Sequence, residues 1–287
     1  MKLSIYSASM PEYGLEETVH LVKEMGADGV EWRVSRPCPA EKPADYVHEG
    51  RYWVYNQSTV DKFKADALAP GLKKLADDAG LETVSLTSDT MLWEMEDAER
   101  VIKAAQIIGC PMVRICPPHY NGTKNYRVLY DEAVAQSKEI EKLAAKYDVR
   151  VCYETHMGNI IPSASAAYRF VQGSNPAHIG IIYDPGNMVF EGFEQHKLGL
   201  ELLGEYLALV HIKNALWTQK DMAEDGSAVW VPAMSPMKKG FVSIRQLLLT
   251  LRELGYTGFL SIEDFTNEED TITKLSGGLA YLRDIMN

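Results

Sequence analysis

Short apolar runs recur along the chain, and longer stretches with apolar residues at helical spacing separate them. Strand-type runs cover residues 3–7, 29–33, 83–87, 112–116, 150–155, 179–184, 207–213 and 258–263, which makes eight. Helix-type periodicity covers 16–25, 60–79, 98–108, 130–146, 164–172 and 244–254, and a last helix spans about 269–285. Gly26, Gly80, Gly109 and Gly255 each stand between a helical stretch and the next strand, where a helix end calls for a left-handed residue.

Eight strand–helix units in 287 residues predict an α/β fold, a single-domain (β/α)8 TIM barrel over 1–287. An open doubly wound sheet is the competing arrangement, but no GxGxxG follows the first strand. Two connections, 34–58 and 214–241, are longer than the rest and read as loops on the C-terminal face of the barrel. Each carries aromatic residues, Trp53 in the first and Trp230 in the second. Such tips suit a lid, a sugar-stacking wall or the interface of a homo-oligomer.

Charge narrows the partners. Lys and Arg number 29 against 40 Asp and Glu, a net charge of −11, which argues against a nucleic-acid binder. No run approaches the ~20 apolar residues that cross a bilayer, and the N-terminus lacks the layout of a signal peptide, so no membrane partner is expected. Cys38, Cys110, Cys116 and Cys152 show no CxxC spacing, which points to a reducing, cytoplasmic setting.

Candidate chemistry gathers at the ends of the last four strands. Each has an apolar body and finishes in Glu154, Asp184, His211 or Glu263. Side chains alternate between the two faces of a strand, so Cys152, Glu154 and His156 share one face, as do His211 with Lys213 and Ser261 with Glu263. If that face is the interior, the four end residues converge at the barrel mouth. Three carboxylates that close repel one another unless a cation lies between them. One divalent metal resolves this, and three oxygens with one imidazole suit Mn²⁺ first, then Mg²⁺ or Co²⁺, with Zn²⁺ also admissible.

His156 and Lys213 lie two residues beyond a proposed ligand and are candidate substrate contacts, or supports for the ligands. Asn187 either meets a substrate hydroxyl or closes the turn that Asp184-Pro185-Gly186 begins. Arg114, Glu31 and Arg33 are also expected to point inward. Arg114 is a further substrate-binding candidate, although for Arg114 and Glu31 a salt bridge inside the barrel is the first expectation. His119, His178 and His196 read as structural.

At these residues the sequence resembles the xylose-isomerase-like TIM-barrel superfamily of sugar phosphate isomerases/epimerases and family-2 AP endonucleases. The resemblance runs through the segment from Asp28 to Glu31, the Tyr-Asp184-Pro-Gly-Asn segment, Val-His211-Ile-Lys213 and the strand ending in Glu263. It implies that Glu154, Asp184, His211 and Glu263 bind one divalent metal. Ketose 3-epimerases and DNA-repair members usually carry His where this chain has Asn187, which counts against a simple ketose 3-epimerase. The missing His and the acidic charge together count against DNA repair. The segments around His156 and Lys213 also look like metal-dependent dehydratases that act on dehydroshikimate or keto-inositol.

The expected reaction begins with loss of a proton α to the carbonyl of a sugar or polyol substrate, the cation stabilising the enediolate. Glu154 and Glu263 are the expected base and acid. Reprotonation then gives epimerisation or isomerisation, and loss of a β-hydroxyl gives dehydration. A non-catalytic sugar-binding subunit is the alternative from another class.

Overall fold

The computed structural model describes residues 1–43 and 46–287. Eight parallel strands close into a ring: β1 (Lys2–Tyr6), β2 (Gly29–Ser35), β4 (Glu82–Met91), β5 (Met112–Cys116), β6 (Arg150–Glu154), β7 (Ile179–Tyr183), β8 (Leu207–Ile212) and β11 (Phe259–Ile262). β1 pairs with both β2 and β11, which completes the barrel and leaves it without an edge. The two-residue β3 (Val60–Asp61) lies outside the ring, on β2.

The helices are α1 (Leu15–Glu24), α2 (Ala65–Ala79), α3 (Met95–Ile108), α4 (Tyr126–Tyr147), α5 (Ala164–Val171), α6 (Pro185–Glu191), α7 (His196–Leu203), α8 (Ile244–Glu253) and α9 (Thr271–Met286). The main core lies between this layer and the outward faces of the strands. There Tyr153 bonds Ser137 at 2.7 Å, and Tyr183 bonds Nδ1 of His196 at 2.9 Å, which makes His196 the structural residue expected. A second, small cluster of Val84, Cys152, Ile182 and Leu209 fills the barrel itself. Three of these sit two residues before Glu154, Asp184 and His211, so the period-two argument holds.

Three expectations change. Residues 60–79 do not form one helix, because Val60 pairs with Val34 and the Asp61 side chain accepts Phe63 N before α2 begins. The connection 214–241 is largely an antiparallel hairpin of β9 (Asn214–Met222) and β10 (Ala228–Ser235). Its Val-Trp-Val alternation, taken for a loop tip, is a strand. Finally, Asp184-Pro185-Gly186-Asn187 does not merely turn. It opens α6, with Pro185 at the first helical position and Asp184 as its cap.

Candidate metal centre and active site

β6, β7, β8 and β11 end at one level of the barrel mouth, and their terminal residues meet. Glu154, Asp184, His211 and Glu263 are all buried, and each offers a ligand atom within 4.8 Å of the others. Nδ1 of His211 stands at the centre, 3.1 Å from Glu154 Oε1, 3.3 Å from Glu263 Oε1 and 3.6 Å from Asp184 Oδ2.

The opposite ring nitrogen, Nε2, lies 3.1 Å from Oε1 of Glu31, on β2. Glu31 is fully buried and also accepts a hydrogen bond from Thr87. Tyr6 stacks on the imidazole, centroids 6.0 Å apart and planes 15° from parallel. A proton on Nε2 directed at Glu31 leaves the Nδ1 lone pair facing the three carboxylates. Metal-binding histidines are commonly backed by a carboxylate in this way.

The chain also supplies counter-charge of its own around the acids. Lys213 Nζ bridges Asp184 Oδ2 at 2.9 Å and Glu263 Oε2 at 2.5 Å, and lies 5.3 Å from the Phe265 ring. Arg114 pairs with Glu154 Oε2 and donates to Ser88 O at 3.0 Å. Four buried carboxylates thus face Arg114, Lys213 and His211.

The electrostatics follow. Burial opposes a charged imidazole, but Glu31 and Glu263 outweigh it and hold the His211 pKa well above its usual value. Burial alone would raise Glu154, yet Arg114 and His211 hold it well below the carboxylate range. Glu263 is pushed up, first by burial, with Lys213 and His211 compensating only in part. The two glutamates flanking the site are driven in opposite directions.

Asn187 closes the start of α6 and also reaches a candidate ligand. Its backbone N–H closes the α6 cap on Asp184 Oδ1 at 2.8 Å, and its Nδ2 donates to Glu154 Oε1 at 3.0 Å. Its Oδ1 is buried without a hydrogen-bond partner. The backbone comes close here: a Cβ on Gly186 would stand 2.9 Å from the Lys213 carbonyl carbon, so glycine lets α6 start against β8. His156 is turned partly aside, its Nδ1 2.7 Å from Met157 O, and burial lowers its pKa.

Arg114, Glu154 and His156 line a cavity of about 180 Å³ together with Cys116, His119 and Asn159. His119, read from sequence as structural, therefore borders the site. A His after Pro117-Pro118 at the end of a strand was the available signal. Across the mouth, Trp53 packs on Phe265 at 4.8 Å, so the aromatic tip of the 34–58 connection walls the Lys213 side.

The donor set fits a divalent ion: hard oxygens plus one imidazole, converging and already backed by Glu31. No described helix is long and apolar enough to cross a membrane.

The family model described as xylose isomerase-like TIM barrel matches residues 19–285. A stretch of 130 residues is 25% identical to inosose dehydratase 1 of Bacillus cereus, covering 42% of this chain and 42% of that protein. Among solved structures, the 3-keto-D-glucoside 4-epimerase of E. coli superposes with a TM-score of 0.73 at 17% identity, over 99% of both chains. The IOLI protein with a binding zinc atom gives 0.69 at 17% identity, over 99% of this chain and 98% of that one.

Proposed function

The chain belongs to the xylose isomerase-like TIM-barrel family, and on that premise we propose that it is a divalent-metal-dependent isomerase or epimerase. Its substrate is a ketose, an aldose or a related polyol ketone. The observation that carries this reading is the convergence of Glu154, Asp184, His211 and Glu263, with both glutamates close to the His211 Nδ1. These four residues would hold the ion, Mn²⁺ first by donor type. When bound, the ion supplies Lewis-acid stabilisation of negative charge on substrate oxygens.

The side chains divide the remaining work. Glu154, kept anionic by Arg114, takes the proton from the carbon next to the carbonyl. Glu263 returns a proton from the other side, which inverts that carbon or, at the neighbouring one, exchanges ketose for aldose. The Lys213 ammonium, beside Asp184 and Glu263, holds a substrate hydroxyl. Asn187, through its unpartnered Oδ1, and His156 hold hydroxyls. The four free cysteines support a cytoplasmic setting.

Dehydration is the second reading, supported by the partial match to an inosose dehydratase and by the Lys213 ammonium among the candidate ligands, whose charge would offset that of an enolate. Incubating Mn²⁺-supplemented enzyme in D₂O with ketoses, inososes and dehydroshikimate tests the shared proton abstraction. Deuterium should enter the α position of one of them, and no exchange with any member would remove both readings.

A further inference from the structure

Of the four candidate ligands, Glu154 borders the inner cavity described above. A second cavity, of about 370 Å³, opens beside it on the same face, lined by Trp93, Tyr120, Asn121, Lys124, Glu132 and Gln136. The same two connections build both. At the end of β4, Met91 lines the inner cavity and Trp93, just beyond it, the outer; after β5, Pro117 lines the inner and Pro118 the outer. His119 lines both, so the two cavities lie side by side with its side chain at their common wall.

The outer walls are held in place. Glu94 accepts Met91 N at 2.8 Å, which pins the turn that carries Trp93. Tyr120 N donates to Gly158 O at 2.8 Å, and the Tyr120 ring meets Tyr126 edge-on at 5.9 Å. Yet Trp93 is 53% and Tyr120 46% exposed, a large apolar area left uncovered beside a reaction site. The same cavity is lined by a carboxamide, an ammonium and a carboxylate: Lys124 pairs with Glu132 at 2.6 Å, and Asn121 lies on the loop that precedes α4. Aromatic faces with hydrogen-bonding groups at their edges match a pyranose ring, which presents C–H on its faces and hydroxyls around its rim. A free monosaccharide in the inner cavity would leave all of this unused.

We propose that the outer cavity is a second sugar subsite and that the substrate is a ketose-terminated disaccharide or glycoside. Its reacting unit occupies the Glu154–His156 cavity, and its second ring lies between Trp93 and Tyr120. The inference rests on the sugar-active reading above and adds to it the size and linkage class of the substrate.

Calorimetric titration of the Mn²⁺-loaded protein separates the two. Fructose is compared with turanose, maltulose, lactulose and isomaltulose, which attach a second ring to fructose through three different hydroxyls. At least one disaccharide should bind about tenfold more tightly than fructose, and that ratio should fall to near one in Trp93→Ala and Tyr120→Ala. It should be kept in Tyr120→Phe, which retains the ring. No disaccharide surpassing fructose, or a ratio that survives Trp93→Ala, overturns the subsite and leaves the monosaccharide reading standing. If neither fructose nor any disaccharide binds, the subsite is overturned, and deuterium exchange with the other ketoses and inososes decides the sugar reading separately. Light scattering on the same variants covers the other occupant: a dimer that Trp93→Ala dissociates would assign these aromatics to a second copy and overturn the proposal.

Discussion

Glu31 and His211 are 180 residues apart in the chain, yet Glu31 Oε1 lies 3.1 Å from His211 Nε2, with both side chains fully buried. The contact fixes the imidazole with Nδ1 toward Glu154, Asp184 and Glu263. Glu31→Gln keeps the shape and removes the charge, so metal affinity should fall ~10–100-fold, as when other carboxylates behind ligating histidines are replaced. Titration of the metal-stripped protein with Mn²⁺ measures this; an unchanged affinity would show that Glu31 serves only the fold.

Removing a ligand has a larger effect. Glu154→Ala and His211→Ala each leave three donors, and metal content after purification should drop to background in both. Equal divalent metal in wild type and both variants would end the case for the site.

Lys213 balances Asp184 and Glu263, so its loss is felt most when no metal is bound. Lys213→Met leaves two buried carboxylates without their ammonium and should cost about 3 kcal/mol in a chelator-treated protein. Added Mn²⁺ should restore most of the lost thermal stability. A variant as stable as wild type in chelator would place the compensation elsewhere.

The same lysine divides the two reaction classes. In an isomerase or epimerase that works through Glu154 and Glu263, Lys213→Met and His156→Asn should act mainly on KM. In a dehydratase, kcat itself should fall ~10²-fold or more, because a proton and a charge are then missing from the transition state. Steady-state kinetics on whichever substrate exchanges deuterium decides between them.

His196 gives the pH dependence. Burial beside Tyr183 lowers its pKa below the usual 6.5, so the folded state resists protonation that the unfolded chain accepts. Stability from this group is complete above pH 6.5 and is lost as pH falls from there toward the depressed folded value, at no more than about 1.4 kcal/mol per pH unit. His196→Gln keeps a hydrogen bond to Tyr183 without a titrating ring. Its chemical-denaturation stability should decline less than that of wild type between pH 6.5 and 5; parallel curves would clear His196.

Local pattern alone determined the barrel and the choice of Glu154, Asp184, His211 and Glu263. Strand parity is a property of the backbone, so an apolar run ending in a charge declares which face the charge shares with Cys152 or Ser261. The same reasoning put Glu31 and Arg114 inside the barrel but could not pair them, because their partners arrive from strands far along the chain. Only closure of the ring set Glu31 behind His211 and Arg114 on Glu154. Closure also placed Lys213 between two acids, where sequence offered a substrate contact or a support for the ligands. The Asp184 cap of α6 was hidden because Asp-Pro-Gly-Asn serves a turn and a helix start equally well, and packing of Gly186 against Lys213 selects the helix. The outer cavity beyond His119 had no signature in the chain apart from that histidine after Pro117-Pro118. It exists because the connections after β4 and β5, short and unremarked in sequence, are brought side by side by neighbouring strands.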